Sequence, residues 1–442
     1  MSIKWDWQII DEDAPWPDQP SPVTELPRRR VSRRFIVALA LVPILAIAAF
    51  AAYYAWTYHA RLNQVADPVQ QVVQLELRSV AINDKTSFMA LQDPNDSAWR
   101  ASQEQNFGRL ERGGLPEFGW GATDVAPQIG PVSLEPGGAL AEVMYQFVVT
   151  QTLFGGPTTV TLQVPGFYKP TPSGWVHAMP GSDFWGPERS QSAKHITVSY
   201  YQRDAGIVEP LIPRMDDLVA QLCDQLPCPP QVSVVFENSI NSGRGFLGAR
   251  SFDRFDRQGG GFFAGGQATV GLVSPHLLAL PTDTKSRDEL YRAFEIQLAQ
   301  TIVSQAFGRN LYANRPASEA IVQWELARVG LRGPFITQAT RDALAAKLEA
   351  GGAPSLATLS LRPNSFRVNT SDVAMMSLAF AFLDQSQGAG AVERLILAMG
   401  RNATLGDAIH ATLQVDPATL ESAWQNYLRD VARQQDSVHQ GV

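Results

Sequence analysis

The stretch F-I-V-A-L-A-L-V-P-I-L-A-I-A-A-F-A-A-Y-Y-A-W, Phe35 to Trp56, decides the first feature of the fold. No charged residue falls between Phe35 and Ala60. At about 1.5 Å of rise per residue, such a run reaches across the roughly 30 Å of a bilayer's hydrocarbon. Pro43 is tolerated inside a spanning helix. Tyr53, Tyr54, Trp56 and Tyr58 stand where an interfacial aromatic belt belongs. Arg28, Arg29, Arg30, Arg33 and Arg34 precede the run, and only Arg61 follows closely. The positive-inside rule then predicts a cytoplasmic N-terminus and an extracytoplasmic remainder. A cleaved signal peptide fits less well, because the run is longer than an h-region and 34 residues precede it. The expectation is a bacterial-type surface protein that crosses the cell membrane once, with its transmembrane helix over 35–58.

Upstream, residues 1–34 read as a disordered cytoplasmic tail. Pro15, Pro17, Pro20, Pro22 and Pro27 break any helix, and acidic residues precede the arginine cluster. Trp5, Trp7 and Trp16 either form a docking motif for a protein partner or rest on lipid headgroups; a solvated tail with no partner is the plain alternative. At the far end, 433–442 reads as a flexible tail. Hydrophobic residues make up 45% and charged residues 18% of the 442, which suits two or three domains with real cores. The net charge of -7 argues against a nucleic-acid partner, which would need a concentrated basic face.

Downstream of the apolar run, Pro68 to Leu91 has helical periodicity, and Asn95 to Leu110 continues in that style. Segments over 117–125, 139–153, 158–167 and 175–179 are then rich in Val, Thr, Tyr and Phe, with Gly, Pro and Ser between them. Helices followed by antiparallel strands predict a small α+β domain over 66–188. With the closing stretch G-W-V-H-A-M-P-G-S-D-F-W-G, it resembles the nuclear-transport-factor-like cone, in which helices pack into a curved sheet. The resemblance implies a cone that often holds a small molecule and is sometimes merely a packed core; nothing in the sequence selects a ligand, and His177 reads as a strand residue.

A linker over 187–193 leads to a second domain, 193–432. Strands are expected at 195–201, 231–236 and 268–273, with a helix over 207–222. From Ser286 onward the chain reads as nearly all helix, opened by a Ser286/Glu289 capping box. Gly308, Gly330, Gly351 and Gly400 read as helix ends. Cys223 and Cys228, in C-D-Q-L-P-C, read as a local disulfide in an oxidising compartment, with two free thiols as the alternative. Asp253, Arg254, Asp256 and Arg257 read as a solvated loop, and Gly259 to Gly261 lacks the lysine of a phosphate loop.

Four stretches in this second domain share an order. They are V-S-P-H-L-L-A-L-P (Val273 to Pro281), I-Q-L-A-Q-T-I-V (Ile296 to Val303), R-P-A-S-E-A-I-V-Q-W (Arg315 to Trp324) and A-I-H-A-T-L-Q-V-D-P-A-T-L-E-S-A-W-Q-N-Y-L (Ala408 to Leu428). Together they resemble the peptidase MA-like gluzincins, the thermolysin-like zinc metallopeptidases, over about 194–430. The resemblance implies an α+β chain overall: a single N-terminal transmembrane helix, a small helix-plus-curved-sheet domain, then a gluzincin-like domain of mixed sheet followed by a helical bundle.

That family's H-E-x-x-H places two zinc-binding histidines on one helix face, with a general base between them, and a glutamate on the next helix as third ligand. Carried over, the histidine positions hold Ile296 and Gln300, and the base position holds Gln297; the third position keeps Glu319. An isoleucine has no lone pair to give a metal, and an amide is no base near neutral pH. The six histidines are His59, His177, His195, His276, His410 and His439, and none is paired at metal-ligand spacing. The sequence therefore predicts no catalytic residue, no bound metal and no cofactor, with Ile296, Gln297, Gln300 and Glu319 as a vestigial site. The predicted function is binding, sensing or scaffolding outside the cytoplasm on a dead peptidase fold. A divergent hydrolase with non-standard residues is the alternative. Expected partners are the bilayer and a protein met through the tryptophan-bearing tail or the ectodomain.

Overall fold

The computed structural model describes residues 33–110, 127–135, 138–151, 158–224, 226, 228, 230–238, 268–278, 280–307, 315–331, 336, 338–352, 354–359, 370–388, 390–399 and 404–433. It mixes helix and sheet and falls into two units, one ending at Arg61 and one beginning at Leu62.

In the first unit the apolar run forms the start of α1 (Arg33–Ala81), a helix long and apolar enough to cross a membrane. Leu41, Val42, Ile44, Leu45, Ile47 and Phe50 are all exposed on it, an apolar surface of the kind that marks an interaction site. The helix predicted from Pro68 is not a separate element but the continuation of α1. No glycine lies between Trp56 and Ala81, and Pro68 removes only one main-chain donor.

In the second unit, Val69 and Val73 of α1 are buried. Helix α2 (Lys85–Ala90) starts on Asp84, whose carboxylate accepts the Ser87 amide at 3.0 Å, and α3 (Ser97–Leu110) follows. Strands β1 (Gln128–Leu134), β2 (Ala141–Gln151), β3 (Thr158–Thr171) and β4 (Gly174–His177) then form an antiparallel sheet in sequence order. Strand β1 was not legible. Its Q-I-G-P-V-S-L breaks the alternation, and the pairing shifts register between Ile129 and Val132. The strand expected over 117–125 lies outside the described residues.

After α4 (Ser182–Trp185), the stretch read as a linker is in fact strand β5 (Glu188–Ser192), antiparallel to β6 (Ile196–Tyr201). All five residues of β5 are exposed, and an edge strand of this kind needs no apolar alternation to form. Helix α5 (Ala205–Cys223) buries Val208, Leu211, Ile212, Met215, Leu218, Val219 and Leu222 at helical spacing. Strands β7 (Val232–Glu237) and β8 (Ala268–Val273) extend β6 in parallel, giving the order β5-β6-β7-β8.

Short α6 (Pro275–Leu278) and β9 (Leu280–Pro281) follow, and β9 pairs with Leu162 and Gln163 of β3. The described residues beyond are mainly helical: α7 (Thr284–Phe307), α8 (Arg315–Arg328), α9 (Gln338–Glu349), α10 (Thr370–Gln387), α11 (Ala391–Met399), α12 (Leu405–Leu413) and α13 (Pro417–Arg433). The cap of α7 differs from expectation. Asp283, not Ser286, accepts the first-turn amide (Ser286 N to Oδ1, 2.9 Å), because a carboxylate one residue before the helix already meets that donor. Gly330 and Gly351 end α8 and α9 at φ of 73° and 72°, with Leu331 N on Leu326 O and Gly352 N on Lys347 O closing the last turns. Gly308 and Gly400 lie outside the described residues. One buried cluster runs from Val160 and Leu162 of β3 through Phe236 and Phe294 to Trp424 of α13. The regions expected as 66–188 and 193–432 thus share a core and the β3–β9 pairing.

Candidate functional site

The four residues singled out by the peptidase resemblance fall on two helices that pack together, α7 and α8. Ile296 is buried at 3% exposure within the main core. Gln297 and Gln300 on α7 and Glu319 on α8 are half-buried. The Gln297 side-chain oxygen is buried without a hydrogen-bond partner among the described residues, while Gln300 and Glu319 are both engaged by neighbours. Next to this position, Glu295 faces α5 and receives Arg214 Nε at 2.6 Å and Nη2 at 3.0 Å. Among the described residues, no group of three His, Cys, Asp or Glu side chains is placed to hold a metal ion. Arg28, Arg29, Arg30 and the tail tryptophans lie outside the described residues; Arg33 and Arg34 open α1.

Polar chemistry gathers instead at the carboxyl ends of the parallel strands. The turn after β6 carries Arg203 and Asp204, and the turn after β8 carries Ser274 and His276. Asp204 is wholly buried. Its Oδ1 accepts Ser274 Oγ at 2.9 Å and faces His276 Nδ1 at 2.8 Å, while Oδ2 has no partner among the described residues. The imidazole edge meets the Phe184 ring, and the Arg203 guanidinium lies over that same ring, 4.0 Å from its centroid. Arg203 Nη2 donates to Glu135 at 3.0 Å and Glu142 at 3.3 Å. Burial pushes the Glu142 carboxyl up; Arg203 opposes this, and neighbouring Glu135 adds to it. A carboxylate on Nδ1 fixes the orientation of the ring and leaves Nε2 as its second polar atom.

A second dyad ties α1 to the antiparallel sheet. Glu76 accepts His177 Nδ1 at 2.7 Å, Gln92 Nε2 at 3.0 Å and the Tyr168 hydroxyl at 2.9 Å. Burial works against its charge, but His177 and these hydrogen bonds outweigh it and hold the carboxyl below its usual range. Tyr145 bonds Tyr168, and burial followed by the Glu76 charge pushes both phenols well up. Trp99 Nε1 closes the network on Gln92 Oε1 and the His177 carbonyl.

Both dyads escaped sequence reasoning. His276 stands 72 residues from Asp204 and His177 stands 101 from Glu76, so no local motif joins them. The available signals were the histidines themselves, in V-S-P-H and G-W-V-H, each just after or within an apolar strand. Cys223 and Cys228 form a disulfide with Cα atoms 5.4 Å apart. The stretch from Asp253 to Gly261 lies outside the described residues. Comparison with protein-family models, with curated proteins and with solved structures finds no match.

Proposed function

We propose that the chain is a membrane-anchored, extracytoplasmic binding, sensing or scaffolding protein built on a catalytically inactive metallopeptidase-like fold. One observation carries the reading. Ile296 is a core residue, so a branched alkyl group occupies the helix position where the resembled peptidases present a zinc-binding imidazole. Gln297 at the base position cannot accept a proton near neutral pH. The order of elements fits a small helix-and-sheet region followed by a gluzincin-like one: a mixed sheet, then α7 and α8 packed together, then further helices. The arginines before the apolar run support a cytoplasmic N-terminus. The test is peptidase activity of the full chain in detergent on a mixed quenched-peptide substrate. No turnover above buffer is expected. Turnover abolished by Glu319→Ala would defeat the proposal.

The Asp204–His276 dyad beside Glu142 favours one second reading, a divergent hydrolase that uses His276 as base. Ester or peptide hydrolysis lost on His276→Ala but retained in Glu319→Ala would establish it. No hydrolysis in any of the three proteins would dismiss it.

A further inference from the structure

We infer that the open edge of β5 is a self-pairing surface, on which a second copy of this chain lays its own β5 antiparallel, so that one sheet runs through both molecules. Strand β5 ends the order β5-β6-β7-β8, and among the described residues no strand lies beyond it. Its residues, Glu188, Arg189, Ser190, Gln191 and Ser192, are all exposed.

The pairing with β6 determines which main-chain groups are open. Ala193 N donates to Ile196 O, and Gln202 N donates to Pro187 O, so Pro187 and Ala193 both turn toward β6. The register between them is unbroken, from Glu188 opposite Tyr201 to Ser192 opposite Thr197. In an antiparallel ladder, alternate residues point N–H and C=O to the same side. Arg189 and Gln191 therefore bond β6, while Glu188, Ser190 and Ser192 present N–H and C=O outward. Such an edge is a template for a further strand.

The side chains select the occupant. Charge guards an edge against wrong pairing, and here it guards all but one register. Two copies centred on Arg189 would oppose two guanidinium groups, and two centred on Glu188 would oppose two carboxylates. Centred on Ser190, the strand complements itself. Ser190 then meets Ser190, Glu188 meets Ser192, and Arg189 meets Gln191, so every residue of β5 pairs and no like charges face. The outward-pointing residues also fall opposite one another in this register, where each pair exchanges both main-chain bonds. Arg189 stands 3.6 Å from Glu209 of α5, with both side chains close to half-exposed. That leaves guanidinium donors for the amide oxygen of Gln191 across the join. Exposed Lys194, in the turn past Ser192, lies at the end that Glu188 of the second copy reaches, and is opposite to it in charge. The strip is short, so the contact is reversible and transient rather than obligate. The inference does not rest on the peptidase resemblance, which concerns α7 and α8.

The test is cysteine cross-linking of the full chain in lipid vesicles under a mild oxidant, read on a non-reducing gel. Ser190→Cys should give a covalent dimer, because the paired Cα atoms would stand about 5.5 Å apart, within reach of a disulfide. Gln191→Cys should give several-fold less, because its own counterpart lies two residues off, beyond the roughly 7 Å a bridge can span. The native cysteines are already joined to each other and do not compete. In the Ser190→Cys chain, Gln191→Arg should cut the yield by setting two guanidinium groups opposite each other, and Gln191→Glu should raise it by giving Arg189 a carboxylate. Both changes sit on an exposed edge and leave the β6 pairing intact. Ser190→Pro removes an outward N–H that β6 does not use, and should bring fluorescence transfer between labelled copies down to background. No dimer from Ser190→Cys, equal dimer from both cysteine positions, or a yield unmoved by Gln191→Arg would overturn the inference.

Discussion

At Glu325 on α8, burial raises the carboxyl to about 7 against the opposing pull of Arg328, and Asp384 adds to the rise. Arg328 Nε and Nη2 hold Oε2 at 2.9 and 2.8 Å, while Oε1 is buried without a partner among the described residues. The folded chain therefore binds this proton more tightly than the unfolded chain, where a glutamate titrates near its ordinary value of 4.5. The sign follows. This site costs nothing below the unfolded value; stability falls as pH rises from there to about 7 and is level above. The loss is on the order of 3–4 kcal/mol, from about 1.4 kcal/mol per unit. Glu325→Gln is expected to remove that decline, read as the difference in unfolding free energy between pH 5 and pH 8 for variant and native chain. Parallel pH profiles would contradict it. Glu76 is the opposite case. His177 and its hydrogen-bond donors hold its carboxyl low, so its contribution is present above the unfolded value and lost as pH falls through the folded one.

Among the elements, α5 and β7 are joined by the turn that the Cys223–Cys228 bridge closes, directly after α5's last residue. Leu222 and Leu226 are buried on either side, and the Gln221 carbonyl receives Arg328 Nη2 at 2.6 Å. A loop this short is worth about 2 kcal/mol in the chain-entropy account. The Cys223→Ser/Cys228→Ser chain should unfold at correspondingly lower denaturant, and dithiothreitol should shift the native chain to the same midpoint. A midpoint unaffected by either change would contradict this. The same region shows what sequence could reveal. Strands β6, β7 and β8 alternate apolar residues and were legible to within a residue or two. Strand β5 is polar throughout, so its pairing with β6 comes from main-chain hydrogen bonds that composition does not record. Asp204 and His276 meet because β6 and β8 flank β7 and run parallel to it, so the turns after both leave from one end of the sheet. Ile296, Gln297, Gln300 and Glu319 were legible as helix residues on neighbouring helices, but Ile296's burial required the whole core.

For the whole molecule, the exposed apolar start of α1 and the arginines before it set an expected topology, with residues before Phe35 inside and those after Arg61 outside. Single cysteines introduced in the tail and after Arg61, treated with an impermeant reagent on intact cells, should label only in the second position. Labelling of the tail alone would reverse the arrangement. In the helical region, α7 and α8 form either a packed helix interface or a metal centre. A catalytic zinc takes three protein ligands and an open position for water, and of the three family positions only Glu319 offers a ligating carboxylate. Restoring Ile296→His, Gln297→Glu and Gln300→His together should move the site toward metal binding. The most direct measurement is zinc per chain, by elemental analysis of the purified native protein and its Glu319→Ala variant. Less than a tenth of an equivalent in both is expected, on the order of adventitious binding. One equivalent in the native chain, lost on Glu319→Ala, would contradict the account.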